Sequence, residues 1–274
     1  MKKLITLIIS IFLPFGCKED TKMLQIEDGL IPFTTAQKLL ADKLVSCFEN
    51  DNPIIQYGYI ENLNDGRGYT AGKAGFTTAN GDLLEVIEKY TELKPGNTLE
   101  VFIPTLKTIS QNNDSNIINL TELPSKWLEN SSDAKFIEAQ NYVSDINYYQ
   151  PSVEACNENG LKLPISLMSL YDCTIQHGAG TDPDGLYAII ERTNTEIGGS
   201  PKDGKNELNW IIKFNQIRKT VLMNPTNSET KEVWQESVGR VDALLKLIEI
   251  DKNYKFDQPT IQINPYGTIH ILTL

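Results

Sequence analysis

The chain has 274 residues, 40% of them hydrophobic, enough apolar material for one sizeable core or two lobes. Its formal charge is −11 at pH 7, and loss of Lys2 and Lys3 with a leader would make it two charges more acidic. That balance excludes a binder that neutralises phosphates through a basic face and favours a cationic partner.

Lys2 and Lys3 precede a short apolar run, Leu4 to Leu13, too short to span a bilayer comfortably and shaped like a signal h-region. It ends at Leu13-Pro14-Phe15-Gly16-Cys17. A small residue before a cysteine resembles the lipobox of bacterial lipoproteins, although Pro14 and Phe15 replace the usual small or aliphatic residues. Residues 1–17 are read as a signal peptide with lipidation at Cys17, residues 18–33 as a tether, and residues 34–274 as the folded domain. Lys18-Glu19-Asp20 directly after the cysteine fits a lipoprotein displayed at the cell surface. Cys47, Cys156 and Cys173 then remain, without metal-ligand spacing. They read best as small buried apolar residues, with one disulfide open in an oxidising compartment.

Thr34-Thr35-Ala36-Gln37 has the form of a capping box. Leu39, Leu40, Leu44, Val45 and Phe48 follow at helical spacing, predicting a helix over 35–49 that Asn50-Asp51-Asn52-Pro53 stops. Glu49 falls in its last turn, where the negative end of the helix dipole disfavours a carboxylate. Residues 56–75 are rich in Gly and Tyr and read as short strands and tight turns around Asn64-Asp65-Gly66. Helices are predicted at 82–91, 98–109, 125–129, 132–147, 151–159, 184–197, 206–222 and 229–247. The segment 163–177 is apolar nearly all round, the mark of a helix buried on every side. At the end, 260–263 and 268–271 alternate around Asn264-Pro265-Tyr266-Gly267 and predict a hairpin. The pattern is that of a mainly α-helical α+β fold with a small sheet.

Several short motifs stand in series. Leu44-Val45-Ser46-Cys47-Phe48-Glu49-Asn50 leads into Gln56-Tyr57-Gly58-Tyr59-Ile60-Glu61, then Asp65-Gly66-Arg67-Gly68-Tyr69-Thr70, Gly75-Phe76 and Gly81-Asp82. Further on come Phe136-Ile137-Glu138-Ala139-Gln140-Asn141, Tyr148-Tyr149-Gln150-Pro151, Tyr171-Asp172 to His177-Gly178, Arg218-Lys219 and Arg240-Val241-Asp242. In this order and spacing the chain resembles the chitosanases of glycoside hydrolase family forty-six, essentially from residue 34 onward. The resemblance implies a lysozyme-like, two-lobed fold with a small sheet lobe and a substrate cleft between the lobes.

Cutting a glycosidic bond requires one carboxyl to protonate the leaving oxygen and one carboxylate to activate water or attack. The resemblance assigns the acid to Glu49 and the base to Asp65, with inversion at the anomeric carbon. Thr70 matches a residue that positions the nucleophilic water, and Arg67 one that orients the base. Asp172, Arg218 and Arg240 match a buried charge network behind the acid. The interval between the two arginines is longer here than in the family pattern, and the network's second carboxylate has no evident position. Chitosan is a cationic glucosamine polymer, so its cleft needs carboxylates for ammonium groups and rings for sugar faces. Asp82 matches the main amine-recognising carboxylate, with Glu61 and Tyr59 nearby and Tyr148, His177 and Glu236 on the opposite lobe. His177 is assigned no proton transfer.

No metal, nucleotide or flavin motif is present, and no cofactor is implied. The expected protein is thus a monomeric, endo-acting chitosanase that binds no nucleic acid and meets a membrane only through its lipid. Two other readings are open: a hydrolase of the same fold acting on another β-glycan, and a non-catalytic glycan-binding lipoprotein. Retention of both carboxylates and Thr70 argues against the binder, and the acidic cleft residues argue against a neutral glycan.

Overall fold

The structure, a computed structural model, describes residues 32–64 and 66–273. Cys17, Asp65 and most of the segment read as a tether lie outside the described residues. The chain divides into two compact units: Ile55–Asn147 forms one, and the chain before and after it forms the other. The result is the mainly helical architecture, with two small antiparallel sheets, that the motif series implies.

Helix α1 is Thr35–Asn50 and starts as its sequence predicts. The Thr34 hydroxyl accepts the Gln37 N–H at 3.2 Å, and the Gln37 side chain accepts the Thr34 N–H at 2.9 Å. Two otherwise orphaned helix donors are thereby satisfied. Leu40, Ala41, Leu44, Val45, Cys47 and Phe48 turn inward. Phe33, at the end of the segment read as a tether, is buried and stacks on Tyr149 at 5.7 Å.

The unit Ile55–Asn147 holds a three-stranded sheet of β1 (Ile60–Asn62), β2 (Tyr69–Ala71) and β3 (Phe76–Thr77), in that order. Register places Glu61 opposite Thr70, and Thr70 opposite Thr77. Its helices are α2 (Asp82–Leu93), α3 (Ile103–Gln111), α4 (Leu123–Asn130) and α5 (Ala134–Ser144). The helix predicted from 98 begins as a 3₁₀ turn, Glu100–Phe102, because Pro104 suits the first turn of the α-helix that follows. The core centres on Trp127, which meets Phe136 edge-on at 4.7 Å and donates its indole N–H to the Tyr57 carbonyl at 3.0 Å. The helix predicted over 132–147 stays regular only to Ser144 and then widens into a π-helical turn, Asp145–Tyr149.

The other unit adds α6 (Gln150–Asn159), α7 (Pro164–His177), α8 (Leu186–Ile197), α9 (Glu207–Met223), α10 (Lys231–Glu236) and α11 (Val238–Glu249). Every residue of α7 from Ile165 to His177 is buried, as the all-round apolar pattern predicts. The single helix predicted at 229–247 is instead broken at Ser237. The Ser237 hydroxyl donates to the Trp234 carbonyl at 2.7 Å and accepts from Gln176 Nε2 at 2.6 Å. A hydroxyl bonded back to its own helix competes with the backbone ladder. The chain ends in a hairpin of β4 (Thr260–Ile263) and β5 (His270–Thr273), the second strand lying two residues later than its alternation suggests.

Cys47, Cys156 and Cys173 are free and buried, which fits their reading as small core residues and removes the disulfide option among them. Burial pushes the Cys47 and Cys173 thiols up to about 12, far from reactive thiolates. Among the described residues no helix is long and apolar enough to cross a membrane.

Candidate active site

Glu49 lies in the last turn of α1 with its side chain only 11% exposed. Arg240 of α11 donates from Nη2 to Glu49 Oε1 at 2.7 Å and, from the same nitrogen, to Asp172 Oδ1 at 2.7 Å. Arg218 of α9 donates from Nη1 to Asp172 Oδ2 at 2.6 Å and also bonds Gln176, one turn further along α7. Both guanidiniums and Asp172 are fully buried. Two buried cations against one carboxylate would be prohibitive, and the second carboxylate, which the sequence does not locate, is Glu49 itself. Burial alone would raise the Asp172 carboxyl, but the Arg240 and Arg218 charges outweigh it and hold the group below the usual carboxylate range. The Arg240 guanidinium also sits over the Phe48 ring, 5.3 Å from its centre.

In the unit Ile55–Asn147, the sheet aligns two of the other predicted residues, Glu61 and Thr70. Directly opposed residues of an antiparallel pair share a face, so Glu61, Thr70 and Thr77 form a row across β1, β2 and β3. Thr77 extends that row to Asp82, whose Oδ1 accepts the Thr77 N–H at 2.6 Å, the Leu83 N–H at 3.0 Å and the Thr77 hydroxyl at 3.4 Å. Tyr59 joins through its hydroxyl, 3.2 Å from Glu61 Oε2. Thr70 Oγ1 is buried and has no hydrogen-bond partner among the described residues. A buried hydroxyl left in this state is the kind of group that holds a water or a ligand atom.

Burial pushes the Asp82 carboxyl up to about 7, against the backbone donors that favour its ionised form. A cation brought to Asp82 would therefore recover the ionised state. Arg67 precedes Gly68, which has φ +74; a Cβ there would collide with the Thr78 hydroxyl. That hydroxyl donates to the Arg67 carbonyl at 3.2 Å and fixes the turn next to the position of Asp65.

Tyr148, His177 and Glu236 belong to the other unit. Tyr148 and His177 are buried, and Glu236 is exposed at the end of α10. The His177 Nδ1–H donates to the Asp184 carbonyl at 2.9 Å, which leaves Nε2 as a buried acceptor without a partner among the described residues. Burial and the nearby Arg218 charge hold the imidazole neutral, well below its usual range. Trp234 packs edge-on against it at 4.8 Å. Gln176 and Ser237, which close the charge network behind Arg218, were not singled out from the sequence. The i, i+4 spacing of Asp172 and Gln176 on one helix face is the signal that could have found Gln176. No three His, Cys, Asp or Glu side chains among the described residues gather to hold a metal ion.

Asp172→Asn leaves two buried guanidiniums with too little negative charge, and should destabilise the protein by about 3–5 kcal/mol in denaturant titrations. Because folding depresses the Asp172 proton affinity, that difference should persist at neutral pH and shrink as pH falls below the ordinary value of 3.8. Asp82 has the opposite sign. Its folded carboxyl holds a proton more tightly than the unfolded one, so ionisation opposes folding as pH rises from 3.8 to about 7. Asp82→Asn keeps the Oδ1 acceptor and loses the charge. Its melting temperature relative to the parent should therefore rise between pH 4 and pH 8.

The sequence matches the family model described as glycosyl hydrolase family 46 over residues 43–260. It is 46% identical over 236 residues to a chitosanase of Bacillus subtilis strain 168, covering 86% of this chain and 85% of that one. A mutant chitosanase of Bacillus subtilis MY002, complexed with six GlcN, superimposes with a TM-score of 0.81 at 42% identity, covering 88% of this chain and 100% of the other. A family 46 chitosanase of Gynuella sunshinyii in complex with chitotetraose gives 0.80 at 45% identity, covering 88% and 99%. With the motif series, the helical fold and the buried charge chain in agreement, the chain belongs to glycosyl hydrolase family 46.

Proposed function

We propose that this glycoside hydrolase is a chitosanase that cuts the β-1,4 bonds of chitosan internally and with inversion, Glu49 giving the proton and Asp65 activating the water. The observation that carries the reading is the Arg240–Glu49 contact. Three buried charged residues, on three different helices, are organised so that a guanidinium is presented to one partly exposed carboxyl. Glu49 protonates the departing glycosidic oxygen, and Asp65, oriented by Arg67, takes a proton from water as that water attacks the anomeric carbon. The Thr70 hydroxyl, without a partner among the described residues, suits the task of holding this water. Asp82, Glu61 and Tyr59 would take the ammonium and hydroxyl groups of glucosamine units, with Tyr148, His177 and Glu236 as further contacts. The relatives in complex with GlcN oligomers support this substrate class.

The mature protein is proposed to be monomeric and surface-anchored through lipid on Cys17, which Cys17→Ser should release into the medium. The decisive test compares product release from chitosan, chitin and β-glucan by the parent, Glu49→Gln and Asp65→Asn. The parent should release intermediate-length oligomers from chitosan, first as the α-anomer by NMR, with a bell-shaped pH profile. Each variant should lose roughly a hundred- to ten-thousandfold in rate. Near-normal cleavage by both variants contradicts the assignment, and binding of chitosan without product would leave a glycan-binding lipoprotein.

A further inference from the structure

Asp51 follows α1 and stands two residues beyond Glu49. It has φ 50 and ψ 35, a left-handed conformation that costs a residue with a Cβ and suits glycine. Its carboxylate also lies at the negative end of the helix dipole. On local grounds glycine would serve this position better, so the aspartate side chain needs another reason. The C-terminal hairpin supplies one. His270 Nε2 lies 2.6 Å from Asp51 Oδ1, and the Thr268 hydroxyl donates to Oδ2 at 3.0 Å. His270 is 7% exposed and Asp51 41%, so a buried imidazole holds a carboxylate that still reaches solvent.

The same hairpin reaches the helix that carries the acid's arginine. Its turn leans on α11 at Gly239, where a Cβ would collide with the Pro265 carbonyl and come within 3.1 Å of the Tyr266 ring. The next residue is Arg240. Among the described residues the buried Tyr266 hydroxyl has no hydrogen-bond partner, and burial opposes its ionisation. One hairpin therefore braces both the end of the helix that carries Glu49 and the helix that carries its guanidinium partner.

We propose that Asp51 and His270 are positioning residues: their contact fixes the last turn of α1 against the hairpin and keeps Glu49 Oε1 in register with Arg240 Nη2. The proposal rests on Glu49 being the proton donor. Displacement of an acid by an ångström or less is enough to slow proton transfer severely.

Asp51→Gly tests it, because glycine removes the grip while relieving the left-handed backbone. The variant should melt no lower than the parent, keep KM within about twofold and lose roughly tenfold in kcat when assayed far below melting. His270→Ala should lose a similar factor. His270→Gln, whose amide can reach the place of Nε2, should recover most of it. The double variant Asp51→Gly/His270→Ala should be no worse than either single one. Parental kcat in Asp51→Gly, a loss that merely follows a reduced folded fraction, or His270→Gln no better than His270→Ala would overturn the proposal. Glu49→Gln run in parallel separates the two claims. If it stays active the acid assignment fails, whereas an inactive Glu49→Gln beside a fully active Asp51→Gly discards the clamp alone.

Discussion

Arg240 is the interaction on which the larger unit depends. A fully buried guanidinium loses several kcal/mol of hydration even after relaxation, and only close carboxylates can return it. Arg240 finds two, Asp172 and Glu49, and Asp172 in turn requires Arg218. The charges come from α1, α7, α9 and α11, so these four helices must converge to within hydrogen-bond distance of one another. Replacing such a network by well-packed apolar side chains is often neutral or stabilising. Stability is therefore a weak reason to keep it, and presentation of a single carboxyl at its edge is a better one.

Other features of this unit follow from that convergence. The break at Ser237 ends α10 and starts α11 where Gln176 can bond the Ser237 hydroxyl, so the helix interruption and the back of the network are one arrangement. The absence of a Cβ at Gly239 admits the hairpin turn beside Arg240. Within Ile55–Asn147 the organising constraint is strand register instead. One antiparallel face carries Glu61, Thr70 and Thr77 in a row and passes to Asp82 through the Thr77 donors. A slip by one residue would send Thr70 to the other face and dissolve the row.

Much of this was legible in the residues. The Thr34 capping box, the all-round apolar segment of α7 and the Gly-rich strands each announced their element through local chemistry. What could not be read were features decided by distant partners. The π-helical turn at Asp145–Tyr149 leaves no periodic mark in the sequence. Ser237 looks like an ordinary helix residue until Gln176, sixty-one positions away, is placed beside it. The second carboxylate of the charge network is concealed in the same way, because the motif series marks Glu49 only for catalysis. The Asp51–His270 contact joins residues 219 positions apart and carries no motif. The motif series implies roles for single residues, whereas the couplings between residues arise only in the folded chain.

The central claim is that this charge network presents Glu49 as the proton donor. Turnover of an aryl β-glycoside of a glucosamine oligomer, whose phenolate leaves without protonation, tests it most directly. Glu49→Gln should lose chitosan hydrolysis yet keep most of the parent's rate on the aryl substrate, since only the poor leaving group needs the proton. Equal loss on both substrates would contradict the claim, because Glu49 would then be required for something other than protonation.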